Sequence, residues 1–394
     1  MDKLKTAVVG YGKVAHTHAE ALAMIPESEL VAVCGRDSAK ARAFAEQYRI
    51  EPFTSVEEMV GAGVEAVAVA TPHPAHAAVT VPALRAGAHA IVEKPLASSL
   101  ADCDAMIAAA REGGRTLAMI SQRRLLEPAL RVRRAIDAGK LGRPVLGTAT
   151  LLGWRSEEYY RSDPWRGSWD GEGGGVLVNQ APHPIDILQW LMGEVDELYG
   201  AWANLNHPTI EVDDTSIAVM RFRSGALGNI VVSNSQNPGI FGRVWVHGSN
   251  GATVGVQTDG GSMFISGMTT VTEPPVNDVW KVPGEEEMLV RWQKEDADFF
   301  RGIDATKHYH RLQIREFLQA ILSGRPPMVP GEEGRKTVEI FTAIYRSQRD
   351  GRPVKFPLAP EAGRDDFDGR RTAGRSGDGL SASGVAVNAE RLGT

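Results

Sequence analysis

The chain has 394 residues, 43% of them hydrophobic and 23% charged, which is enough for two domains of ordinary size and typical of a soluble globular protein. Its 43 Lys and Arg stand against 49 Asp and Glu, a formal charge of −6 that gives no general attraction to nucleic acid or to a membrane surface. Cys34 and Cys103 supply neither a disulfide framework nor a zinc cluster, no apolar run has membrane length, and no charged-then-apolar leader precedes Lys5, so a cytoplasmic protein is expected.

Leu4–Val9 (LKTAVV) is an apolar run of strand length, followed at once by Gly10-Tyr11-Gly12-Lys13-Val14-Ala15. This is the G-x-G-x-x-G/A pattern at a strand-to-helix junction, where glycine permits the tight turn and the close approach of a pyrophosphate to the helix N-terminus. Residues 30–34 read as a second strand, 38–48 as a helix opened by a Ser cap, 65–70 as a buried strand, 74–86 as a helix and 89–92 as another strand. The alternation predicts an α/β fold with a doubly wound parallel Rossmann sheet over residues 1–122.

The end of the second strand bears on cofactor choice. A carboxylate there accepts from the ribose 2′-hydroxyl of NAD, whereas small residues with an Arg nearby accommodate the 2′-phosphate of NADP. Cys34-Gly35-Arg36-Asp37 has no acid at position 35, Arg36 offers a planar fork, and Asp37 is still able to reach a ribose; NADP is favoured over NAD.

Thr71-Pro72-His73-Pro74-Ala75-His76, Ala83-Leu84-Arg85-Ala86-Gly87 and Glu93-Lys94-Pro95 follow in that order. Lys94 comes directly after a buried strand at the carboxyl edge of the sheet, where open α/β sheets bind ligands. A partly desolvated Lys there can stabilise a developing alkoxide or hydrogen-bond a carbonyl oxygen. The ordered set TPxxxH, AL-x-AG-x-H and EKP, with the glycine-rich turn and the segment 171–190, resembles the glucose–fructose oxidoreductase, inositol dehydrogenase and rhizopine-catabolism (Gfo/Idh/MocA) family from Lys5 to about Leu358. The cofactor-binding set expected on this basis is Gly10, Tyr11, Gly12, Lys13, Val14, Arg36, Asp37, Thr71, Pro72, His73, His76, Glu93 and Lys94. His16, His18 and His89 read as helix-end, packing or cofactor-side residues, and no catalytic metal is expected.

Residues 111–121 read as a loop and the last strand of the first domain, and Gln122-Arg123-Arg124 leads into a helix over 127–138. The resemblance puts Arg123 near cofactor or substrate, with Arg124 at the surface. Residues 144–152 open a sheet, and 154–169 (WRSEEYYRSDPWRGSW) is aromatic and basic. In an acidic chain, aromatic faces beside arginines suit polyhydroxylated rings and nicotinamide rather than nucleic acid. The resemblance places Trp165 and Arg166 at the cofactor and Tyr160 on the substrate side; a structural aromatic cluster is the alternative.

In the stretch GEGGGVLVNQAPHPIDILQW (171–190), Gly173–Gly175 would let the backbone pass close to a flat ligand. Asn179, His183 and Asp186 share a helical face, with the regular helix starting near Pro184. His183 beside the glycines suits proton transfer. The resembling family commonly has Asp where this chain has Asn179, and an amide cannot take up a proton, so Asn179 would orient substrate or hydrogen-bond Lys94. Asp186 either orients His183 or holds the helix.

From 199 to 256 the chain is strand-like, with Ser224-Gly225 and Asn250-Gly251 as hairpin turns. An α+β domain with a large, mostly antiparallel open sheet is expected over 123–358. Val244, Val246 and Val254 suggest a homodimer or homotetramer formed through that sheet. Residues 308–322 and 332–349 read as helices, with His308 and His310 structural, and 359–394 as a disordered tail.

The function expected is hydride transfer between NAD(P) and a secondary hydroxyl or ketone of a sugar, glycoside or inositol-like polyol. His183 would act as general base and Lys94 on the reacting oxygen, with Arg123, Tyr160 and Asn179 at the substrate. A ring dihydrodiol, ketone or imine as substrate, or a non-catalytic NAD(P) sensor, are the other readings.

Overall fold

The structure, a computed structural model, describes residues 3–258 and 274–370. Six parallel strands, β1 (Leu4–Val9), β2 (Ser28–Cys34), β3 (Glu51–Phe53), β4 (Ala66–Val69), β5 (His89–Val92) and β6 (Leu117–Met119), lie in the order 3-2-1-4-5-6. Helices cover both faces, which is why β4 and the end of β1 are continuous apolar runs with no polar alternation. The strand order reverses between β1 and β4, and the crevice beyond their carboxyl ends is where such sheets take ligands.

The second sheet has eight strands: β7 (Pro144–Trp154), β8 (Val195–Ala203), β9 (Thr215–Phe222), β10 (Leu227–Ser233), β11 (Ser235–Gly248), β12 (Thr253–Gln257), β13 (Trp280–Lys281) and β14 (Val354–Lys355). Their order is 13-12-11-7-10-9-8-14, and every pairing is antiparallel except β7 with β10. Strict alternation along β9 gives the sheet two unlike faces. One packs against the helices Pro182–Met192 and Gly331–Asp350. The other exposes Leu146, Tyr199, Ile217, Val219 and Leu227. Val244, Val246 and Val254 are fully buried, so the apolar residues that could meet a second subunit are on β7 to β10 and not these three valines.

The helix Ala305–Ser323 returns to the first domain: Ile314, Phe317 and Leu318 complete the core formed by Ala15, Ala19 and Leu22. Two further expectations are corrected. Residues 359–370 are packed and not an unstructured tail. The Asp366 carboxylate there is buried and accepts from Arg346 Nη2 (2.7 Å) and from the amides of Ala101 (2.8 Å) and Glu361 (2.9 Å). The rest of that predicted tail, 371–394, lies outside the described residues. The helix Ser38–Tyr48 is capped by Asp37, whose carboxylate accepts from the amides of Ala39 (3.0 Å) and Lys40 (3.1 Å), and not by Ser38. No helix of the described residues is long and apolar enough to cross a membrane.

Candidate active site

β1 hands the chain to a turn that only glycine can make. Gly10 sits at φ +116°, and a Cβ there would lie 2.6 Å from the carbonyl oxygen of Ala70 at the end of β4. Gly12 then starts the helix Lys13–Met24 with no side-chain cap, and a Cβ at Gly12 would meet no protein atom within 4 Å. The first-turn amides are therefore left without side-chain partners, beside an open space that the chain itself does not fill. This fits the pyrophosphate of a dinucleotide.

That turn forms one wall of a cleft of about 280 Å³. Gly12, Lys13, Val14, Thr71, Pro72 and His73 line it from the first domain, Glu93 and Lys94 from the end of β5, and Arg123, Trp165, Arg166, Asn179 and His183 from the second. Residues up to about 170 apart in the sequence, all expected at the site, are brought together here.

Lys94 leads into a cis peptide bond with Pro95, and the His76 ring stands between the carbonyls of Thr71 (3.0 Å) and Pro95 (3.0 Å) behind it. His76 thus supports the Lys94 loop and is not among the described residues of the cleft wall. The Lys94 Nζ donates to the backbone carbonyl of Asn179 at 2.8 Å. Burial, and after it the positive charges of Arg123, Arg166 and Arg155, lower the ammonium to about 8 against the opposing pull of Glu93.

The Glu93 carboxylate is buried and takes Nε2 of His18 at 2.8 Å and Nε2 of His310 at 3.3 Å. The other ring nitrogen of His310 faces the Thr306 carbonyl at 2.7 Å. Burial opposes a charged ring, but with acceptors on both nitrogens the Glu93 carboxylate outweighs it and His310 is held above the usual histidine range. Glu93 is correspondingly well below the usual carboxylate range, because the two histidines overcome its burial. His310, expected to be structural, lines the cleft. Two His and one carboxylate also bring three metal-ligating atoms together.

His183 is buried in the same cleft. Its burial and the charges of Arg123 and Lys94 hold it well below the usual histidine range, so its imidazole is neutral at physiological pH and fit to accept a proton. The helix carrying it starts at Pro182, two residues earlier than expected. Asn179 belongs to a separate short helix, Val176–Asn179. It serves Lys94 through its backbone carbonyl, while its side-chain amide donates to Glu172 and to the Tyr159 hydroxyl (3.1 Å). Burial pushes the Glu172 carboxyl up to about 7.

Asp186 does not touch His183. It accepts from Ser121 Oγ and from Arg124 Nε (2.8 Å) and Nη2 (2.7 Å), so Arg124 is an internal anchor and not a surface residue. The three glycines also have another cause than a flat ligand. A Cβ at Gly173 would meet Ser98 Oγ at 2.4 Å, at Gly174 the Tyr345 hydroxyl at 2.4 Å, and at Gly175 the Asp213 carbonyl at 1.8 Å.

In the aromatic segment, the Arg166 guanidinium lies 4.3 Å from the ring centres of both Trp165 and Tyr159, and its Nη1 donates to the Tyr159 hydroxyl at 2.6 Å. Tyr159 lines the cleft. Tyr160, the residue expected there, turns inward to accept from Asn234 Nδ2 at 3.2 Å. Adjacent residues of a helical turn point about 100° apart, and the pair Tyr159-Tyr160 carries no mark of which one faces the ligand. Arg36 and Asp37 lie beyond the end of β2, outside the described cleft wall.

With this sheet order and this glycine turn, the protein is an oxidoreductase of the NAD-binding Rossmann class. Residues 4–121 match the model of the oxidoreductase family with NAD-binding Rossmann fold, and 129–254 match that of the GFO/IDH/MocA C-terminal domain. The chain belongs to the Gfo/Idh/MocA family. It is 25% identical over 362 residues to myo-inositol 2-dehydrogenase of Thermotoga maritima, covering 90% of this chain and 98% of that one. It is 27% identical over 365 residues to D-apiose dehydrogenase of Paraburkholderia graminis, covering 90% of each. The WlbA dehydrogenase of Bordetella pertussis, solved with NADH and UDP-GlcNAcA, superposes with a TM-score of 0.79 at 29% identity, over 91% of this chain and 99% of that one. The relatives named are dehydrogenases, and this chain is an NAD(P)-dependent dehydrogenase of the same family.

Proposed function

We propose that the enzyme moves a hydride between a nicotinamide cofactor and a carbinol carbon of a cyclic polyol or sugar, with Lys94 and His183 acting on the reacting oxygen. The observation that carries this is the convergence in one cleft of the Lys94 ammonium, held by the Asn179 carbonyl, the His183 ring, and the glycine turn. Gly10, Gly12 and the first turn of the helix Lys13–Met24 would hold the pyrophosphate, with Trp165 and Arg166 toward the nicotinamide end. The bound cofactor supplies the hydride acceptor or donor. In oxidation, neutral His183 takes the hydroxyl proton and cationic Lys94 stabilises the oxygen as charge develops; in reduction His183 returns the proton while Lys94 stabilises the same oxygen. Purified protein tested against inositols, sugars and dihydrodiols, with turnover followed by nicotinamide absorbance, decides the substrate class. Absence of turnover with all of them would favour a non-catalytic dinucleotide sensor.

NADP is the preferred cofactor on this reading, because Asp37 is engaged as a helix cap while Arg36 is exposed and makes no ion pair among the described residues. Arg36→Ala is expected to weaken NADP binding by roughly tenfold, about 1.4 kcal/mol, with little change for NAD. Titration of both cofactors by calorimetry checks it, and an unchanged ratio removes the preference.

The subunits pair through the exposed face of the second sheet. Tyr199 stands beside Val219 in register and Leu227 beside Leu146, two exposed apolar pairs on a face that helices leave open. Ile217→Lys with Val219→Glu should shift the protein to monomer in light scattering. A mass unchanged from wild type would place the interface elsewhere.

A further inference from the structure

We propose that Tyr11 and Gly35 form a single specificity-determining pair: the Tyr11 ring fills the space that a side chain at position 35 would need, and so keeps the NAD-selecting carboxylate off the end of β2. The inference rests on the dinucleotide-binding reading above and deepens it. A Cβ built on Gly35 would lie 2.2 Å from Cε1 and 2.5 Å from Cδ1 of Tyr11, well inside contact distance. Nothing in the backbone calls for glycine there. Gly35 is outside the positive-φ region, and its amide continues the sheet ladder by donating to the Phe53 carbonyl at 3.0 Å. The ring, and not the turn, excludes a side chain.

Tyr11 cannot simply swing aside at no cost. It is partly buried against the core that includes Val8, Val33 and Ala68, so displacing its ring gives up apolar contact. Tyr11 is also the central residue of the glycine turn, which places its side chain over the neighbouring strand end by the same geometry that binds the phosphates. The remaining acid, Asp37, is committed to the amides of Ala39 and Lys40. Position 35, at the very end of β2, is therefore closed to a carboxylate by the ring, while Asp37 spends one oxygen, Oδ1, on the helix cap. Arg36 between them is left to meet a 2′-phosphate.

The test is a double-mutant cycle of Gly35→Asp and Tyr11→Ala, read by dissociation constants for NAD and NADP from calorimetry and by thermal unfolding of the cofactor-free protein. Gly35→Asp alone is expected to lower Tm and to gain no NAD preference. In the Tyr11→Ala background the same substitution should cost little in Tm and move the ratio of affinities toward NAD by about tenfold. Gly35→Ala supplies the Tm arm with the least added volume. The proposal is overturned if the Tm costs at positions 11 and 35 add independently, or if Gly35→Asp turns preference toward NAD as far with Tyr11 present as without it. A wild-type enzyme that prefers NAD would sink the NADP reading by itself, and the coupling between the two positions would still be decided by the cofactor-free unfolding cycle.

Discussion

Replacing Lys94 by Met is expected to give a protein that folds and binds the dinucleotide but turns over about 10²–10³-fold more slowly, the loss seen when one donor to a developing oxyanion is removed. His183→Ala costs about 10²–10⁴-fold, the range for general acid–base assistance. The double variant is expected to be scarcely slower than the worse single one, because both groups act on one oxygen. The pH dependence separates the two roles. The Lys94 ammonium, lowered to about 8 by burial and by the neighbouring arginines, is a cation below that pH and neutral above it. His183, held well below the usual histidine range by burial and by Arg123 and Lys94, is already neutral near pH 6.5. For alcohol oxidation, kcat/KM should therefore be level through neutrality and fall above about pH 8 as Lys94 loses its proton, and Lys94→Arg should remove that fall. A rate that instead rises through pH 8 would make neutral Lys94 the base and dismiss His183 from that task. Undiminished turnover in both single variants would end the proposal.

Much of the fold was legible because local signals and burial agreed. LKTAVV before a glycine pair reads as a buried strand entering a glycine turn, and β1 has the bounds read from the sequence. Periodicity likewise found the alternating β9 and the turns at Gly225 and Gly251. The site was legible where a motif carried its own geometry, as in Glu93-Lys94-Pro95, and illegible where function depended on a distant neighbour. Nothing in residues 308–310 says that one imidazole will reach Glu93, more than 200 positions earlier, while His308 packs on Phe299. Arg124 reads as a surface arginine because its partner is 62 positions away. Gly173–Gly175 and Gly35 look like ligand clearances, but each would collide with the chain's own atoms: Ser98, Tyr345, Asp213 or Tyr11. Composition shows that a side chain is missing and only the fold shows what took its place.

The largest loss of stability is expected at the pair that sequence reading separated. Arg124 and Asp186 are 2% and 1% exposed and share two hydrogen bonds of 2.8 and 2.7 Å, with Glu333 at 3.2 Å from the same guanidinium. Together with Ser121 they join the turn after β6 to the helix Pro182–Met192, on which His183 lies one turn before Asp186. Asp186→Ala leaves a buried guanidinium without its bidentate partner and should destabilise the protein by about 3–5 kcal/mol, measured by denaturant unfolding. Removing both charges is expected to cost much less. Arg124→Met with Asp186→Leu abolishes the desolvation of both charges, so the cycle should show strong coupling. Activity then tells whether the pair also positions the site. If it does, the stable double variant will have a reduced kcat with the pH profile of the wild type, since neither Lys94 nor His183 has changed its surroundings. A double variant as active as wild type would confine Asp186 to holding the helix, and a single-variant loss below about 1 kcal/mol would mean that the buried pair is not formed in solution.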